Sequence, residues 1–131
     1  MLPEGELLEA TTTEEAFLAS KLGRRTTPAK GGPGHRNHHA REVLLEGTSF
    51  VLGAYFHDGR IIMIILCAGL PNDPRSWDEW SLEREMERKN LHDSWLRARL
   101  GDPPWSFSWG SIWSDYDARS AGSSWGINFG R

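Results

Sequence analysis

Residues Ile61–Leu66, IIMIIL, contain no polar side chain. A strand with one wet face alternates apolar and polar residues. An unbroken apolar run of this length therefore reads as a strand buried on both faces, at the centre of its sheet. Asp58-Gly59 stands just before it, preceded by a second β-rich run, TSFVLGAYF. Asp-Gly tolerates the two left-handed residues that a two-residue hairpin turn requires. The pair predicts a hairpin, and a further turn at Glu46-Gly47 extends it to a three-strand meander.

The flanking segments supply the rest. TTTEEAFLASKLG reads as a short helix, capped by Thr12 or Thr13 and ended by Gly23. Residues 24–41 are rich in Gly, Pro, His and basic residues without any period, which predicts a mobile loop. PNDPRSWDEW breaks the sheet. Within it, Ser76 and Glu79 have the spacing of a capping box and predict the start of a long helix. That helix runs to Leu100, where Gly101 and two prolines stop it, with Glu85/Lys89 and Asp93/Arg97 spaced for i,i+4 pairs. In WSFSWGSIWSDYD, Trp105, Phe107, Trp109 and Trp113 recur at even spacing among serines and glycines, which favours a strand over a helix. Trp125, Ile127 and Phe129 repeat the pattern after DARSAGSS, giving a second hairpin.

The expected fold is α+β over a single domain, residues 1–131: an antiparallel sheet of about five strands, β-β-β-α-β-β, with one long helix packed on it and a short N-terminal helix. One helix cannot cover five strands, so part of the other sheet face stays open. A 38% apolar fraction is low for a globular chain, but seven tryptophans supply large buried areas. The acidic N-terminus has no signal-peptide pattern, Ile61–Leu70 is too short to span a bilayer, and Cys67 is the lone cysteine. These features predict a cytoplasmic protein with no membrane partner. A net charge of −3 leaves no electrostatic footprint for nucleic acid.

Chemistry-bearing residues are few. His35 and His38 have a His-x-x-His spacing beside His39, but His57 and His92 supply no second ligand pair, so neither metal nor other cofactor is expected. His92-Asp93 is half a triad without a nucleophile elbow, and Glu79, Glu83, Glu85 and Glu87 among arginines read as a solvated helix face. The long helix carries two apolar groups: Trp77, Trp80, Leu91 and Trp95 in one sector, and Leu82, Met86, Leu96 and Leu100 roughly 150° away. The second stripe is either covered by the rest of the chain or meets a partner. In the tryptophan hairpin, Phe107, Trp109, Ile127 and Phe129 read as core wall. Trp105, Trp113 and Trp125, near strand ends with Asp115, Asp117 and Asn128 available, read as candidate stacking surfaces.

SWDEWSLEREMERKNLHDSWLRARLG followed by WGSIWSDYDARSAGSSWGINFG resembles small bacterial α+β proteins of unknown function. Those are similar in size and make-up to immunity proteins of contact-dependent or secreted toxin systems. The resemblance covers the half of the chain from Trp77 onward and transfers no functional residue. It implies a non-enzymatic binding protein whose partner is another protein, a cognate toxin among the candidates. On that reading the expected contact residues are Trp80 with Glu79, and Trp113 with Asp115 and Asp117, aromatic anchors beside acidic groups suited to a basic target. The alternatives are a carbohydrate- or small-ligand-binding module using the tryptophan hairpin, and, behind it, a metal-dependent enzyme using the histidines.

Overall fold

The computed structural model describes residues 12–29, 32–45, 47–69, 80–119 and 122–129. These form an α+β fold with one antiparallel sheet of seven strands in the order β1-β2-β3-β4-β7-β6-β5. The strands are β1 (Thr27–Ala29), β2 (His35–Leu45), β3 (Thr48–His57), β4 (Arg60–Ala68), β5 (Trp105–Phe107), β6 (Gly110–Asp117) and β7 (Gly122–Phe129). Helices α1 (Glu14–Ala19) and α2 (Lys21–Arg24) precede the sheet, and α3 (Leu82–Leu100) divides β4 from β5.

The Asp58-Gly59 hairpin forms as read, with φ of 49° and 81° at its two turn residues. β4 is the middle strand of seven. Its all-apolar run marks that position but not double burial: Ile61, Ile64 and Leu66 are buried, Met63 and Ile65 half-buried, and Ile62 is 36% exposed. The two strands beyond the expected five have separate origins. Much of the segment read as a loop over residues 24–41 is strand, β1 and the start of β2. The tryptophan run is split by a turn at Ser108-Trp109 into β5 and β6.

Helix α3 also starts later than expected. Ser81 is its N-cap, the hydroxyl accepting from the Arg84 amide, and Trp80 is not helical; Ser76, Trp77 and Glu79 lie outside the described residues. The face it turns to the sheet is polar. Glu85, Arg88 and His92 are buried there with Leu96, whereas Leu82 and Leu100 are exposed. Glu85 is thus not on a solvated face. It pairs with Arg88 rather than Lys89, and Asp93 pairs with Lys89 rather than Arg97.

This burial follows from the strands below. β4 and β7 pair only from Met63↔Asn128 to Leu66↔Trp125; continuing the register would set Ala68 opposite Ser123. At that point side chains take over the ladder. The Ala68 amide donates to His92 Nε2 at 2.9 Å, and its carbonyl accepts from the Arg88 guanidinium. The Ser123 amide donates to Glu85 Oε1 at 3.0 Å, and its carbonyl accepts from Cys67 Sγ at 3.3 Å. Arg88 holds Glu85 through two contacts of 3.2 Å, and Ser123 Oγ donates to the Glu85 carbonyl at 2.8 Å. Four buried backbone groups find partners, as burial requires.

Around this lock the apolar core is continuous. Phe17 of α1 packs on Phe56, and Phe50, Trp95 and Trp125 meet at centroid distances of 5.3–5.7 Å. Phe17 covers the inner face at His38 of β2 and Phe56 of β3, Leu22 is buried in the same cluster, and α3 lies over β4, β7 and β6. Both helical units therefore sit on the same face.

Burial, reinforced by the Arg88 charge, lowers the His92 pKa from 6.5 to about 4. The ring is neutral and carries its proton on Nδ1, since Nε2 accepts. A folded pKa below the unfolded one gives stability that is fully present above about pH 6.5 and is lost as pH falls toward 4. That loss is on the order of 3 kcal/mol. Chemical denaturation at pH 7 and pH 4.5 should show the wild type losing more stability than His92→Gln, which keeps an acceptor but cannot titrate. Equal losses would rule out this role for His92.

Candidate functional site: the uncovered sheet face

The Ser114 hydroxyl donates to Asp93 of α3 at 2.6 Å, so Ser114 points to the helical layer. Alternation then turns Trp113, Asp115 and Asp117 to the opposite face. There, one register row runs His39, Gly53, Ile65, Gly126, Trp113 across five strands. Two glycines flank Ile65, and aromatic rings lie over both. A Cβ on Gly126 would stand 2.5 Å from Trp113 Cζ2, and one on Gly53 would stand 3.0 Å from the Tyr55 hydroxyl. The indole of Trp113 is held by its Nε1–H, which donates to Asn128 Oδ1 at 3.2 Å. Tyr55 meets the His39 ring edge-on at 5.8 Å, and its burial raises the phenol pKa. Val51 is 44% exposed at one margin of this face, and Asp115 and Asp117 are exposed at another.

The expected contact residues divide accordingly. Trp113, Asp115 and Asp117 come together on one face. Trp80 stands just before Ser81, the N-cap of α3, rather than on β6 with them; Glu79 lies outside the described residues. Phe129, with Ile127, packs against the core as expected, but four other aromatics reverse their expected roles. Trp105 and Trp125 are core, 7% and 4% exposed, whereas Phe107 and Trp109 are 43% and 40% exposed and stack on each other at the β5–β6 turn. The cause is the hairpin: its two-residue turn pairs Phe107 with Gly110 and Trp105 with Ile112, so odd residues before the turn share a face with even residues after it. Trp105 and Trp113 thus face opposite ways. His39, Tyr55, Gly53 and Gly126 were missed because glycine and histidine in a strand carry no signal until the register is known.

The His35–His38 and His92-Asp93 groupings read in the sequence come apart among the described residues. Asp93 accepts from Ser114 and Lys89, while His92 turns to Ala68. Burial acts to raise the Asp93 pKa, but those two hydrogen bonds together with the Lys89 charge outweigh it, and the net shift is downward. His35 and His38 fall on opposite faces of β2. His38 is buried with Nε2 2.6 Å from Glu14 Oε2, and His35 packs on His57 at 4.5 Å. Among the described residues, no three His, Cys, Asp or Glu gather at metal-binding distance, and no helix is long and apolar enough to cross a membrane. No family model, curated protein or solved structure matches the chain.

The close seat of Trp113 gives a direct test. A Gly126→Ala methyl would stand 2.5 Å from both the Ile64 carbonyl and the indole, so either the ladder or the ring must move. The expected cost is about 1–3 kcal/mol of stability. At Gly69 a Cβ meets nothing within 4 Å, and Gly69→Ala should stay within about 0.5 kcal/mol of wild type. Urea denaturation of both variants checks the contrast.

Proposed function

We propose that the chain is a non-enzymatic protein-binding domain of immunity or inhibitor type, and that its contact surface is the uncovered sheet face around Trp113, Asp115 and Asp117. One observation carries the reading. Both helical units pack on a single face of the sheet, and on the other face no described element covers Val51, Tyr55, Ile62, Ile65 and Trp113. Contiguous half-exposed apolar surface rimmed by polar groups is the usual form of an interaction site, and tryptophan is enriched among binding hot spots. The exposed carboxylates and the net charge of −3 suit a basic target such as a nuclease toxin, whose approach they would steer.

A carbohydrate reading draws on one specific feature, the indole of Trp113 set over Gly126 and tied to Asn128. A fixed aromatic plane beside carboxylates suits a pyranose ring, so a single experiment should separate the two.

Trp113→Ala should weaken a complex captured from the source lysate by roughly 30-fold or more, the effect of a hot spot of about 2 kcal/mol. Its folding midpoint should fall less than that of Trp125→Ala, which empties a core site at a cost of about 3–5 kcal/mol. Unchanged affinity in Trp113→Ala would remove this face from the interface. Retention of an oligosaccharide with no protein partner would favour the carbohydrate reading.

A further inference from the structure

The sheet has two edges, and they are finished differently. β1 is three residues long and contains Pro28, which has no amide proton to offer. Beyond it, β2 is interrupted by a bulge between Ala40 and Val43, and Arg25 occupies the carbonyls of Arg41 and Glu42 at 3.1 Å each. These are familiar ways of blunting an edge. At the other side, β5 covers β6 only from Gly110 to Ile112. From Trp113 to Asp117, β6 continues in unbroken register with β7, and among the described residues no strand lies on its outer side. In an antiparallel ladder, successive residues address the two neighbours alternately. The two-residue turn makes Phe107–Gly110 and Trp105–Ile112 the hydrogen-bonded pairs of that hairpin, so the next outward-facing amides and carbonyls belong to Ser114 and Tyr116.

We infer that the outer edge of β6, Trp113–Asp117, is a strand-addition site for an extended, basic segment of a partner protein. The inference rests on the protein-binding reading above and names how that partner docks. A strand laid here gains its main-chain hydrogen bonds from Ser114 and Tyr116 and sets alternate side chains beside Trp113, Asp115 and Asp117 on the open face. Lysine or arginine at period two meets the two carboxylates, whereas an acidic segment meets like charge. The same carboxylates disfavour a second copy of this chain, because antiparallel pairing of β6 with itself about Asp115 sets Asp115 against Asp115. The acidic residues on this edge thus reject self-pairing while selecting a basic strand.

The probes are acetylated, amidated hexapeptides alternating lysine and valine, and the same peptide with glutamate for lysine. Two further versions of the basic peptide are N-methylated on one alternate set of amides or on the other. The basic peptide should bind the wild-type chain in low salt and slow amide exchange at Ser114 and Tyr116; the glutamate peptide should do neither. One methylated isomer should bind like the parent, because its methyl groups face away from β6. The other should lose at least roughly tenfold, since the inward amides are blocked without any change to the protein. Asp115→Lys should weaken the basic peptide by about tenfold as well. Equal binding by both methylated isomers, or no slowing at Ser114 and Tyr116, overturns strand addition. A captured partner that depends on Trp113 but leaves those two amides unprotected overturns it alone and leaves the open-face reading standing. A complex indifferent to Trp113→Ala removes the reading on which it rests.

Discussion

The architecture depends on a short stretch where β4 and β7 stop pairing and Glu85, Arg88 and His92 complete their hydrogen bonds. Ending a ladder inside a protein leaves amides and carbonyls with neither water nor a neighbour, at a cost of roughly 1–3 kcal/mol for each unsatisfied group. Here the Ala68 amide and carbonyl and the Ser123 amide are taken by three side chains on successive turns of one helix. The arrangement constrains in both directions. Without α3 the strand ends are unsatisfied; without the strand ends α3 would bury a carboxylate, a guanidinium and an imidazole against apolar surface. Removing one member of such a buried ion pair typically costs about 3–5 kcal/mol, much of it from the charge left behind.

Seating α3 by polar contacts explains why its sheet-facing stripe is so poor in aliphatic residues. Leu96 is its buried aliphatic residue, and Leu91 and Trp95 pack against the core from the side. The outer surface of the Trp95 indole is closed by Arg99, whose guanidinium carbon lies 3.9 Å from the ring centroid. Over β2 and β3 the inner face is met by Phe17 of α1, and Leu22 of α2 is buried in the same cluster. With the helical mass gathered on one side, the second face of the sheet is left to its own side chains.

Where local chemistry determined structure, the sequence was readable. Asp58-Gly59 and the IIMIIL run specified a hairpin and a central strand because turn conformation and burial act within a few residues. The long helix and its stop at Gly101 were readable for the same reason. Three features were not, and each depends on distant partners. His38 is buried because Glu14 waits 24 residues away, so a polar segment that reads as loop forms a strand. Glu85 is buried because the Ser123 amide lies 38 residues further on, which no helical spacing reveals. Trp105 and Trp113 fall on opposite faces because a two-residue turn at Ser108-Trp109 reverses the parity that even spacing assumes. Of the candidate site, Trp113, Asp115 and Asp117 were legible as one strand face; the cross-strand residues that support it were not.

On the proposed reading, those supporting residues link stability to recognition. Glycine in a strand weakens it by exposing backbone, and a cross-strand aromatic that covers the glycine restores part of the loss. Trp113 over Gly126 and Tyr55 over Gly53 are both such covers. The indole is further tied to Asn128, so its orientation is set within the sheet itself. A side chain already held in one orientation loses little further freedom on binding, and an ordered side chain otherwise costs about 0.5–1.5 kcal/mol. The glycine that requires covering therefore also supplies a preorganised ring. Asp115, two residues along on the same strand face, is exposed. A fixed aromatic ring beside an exposed carboxylate follows from the alternation of one strand laid over one glycine.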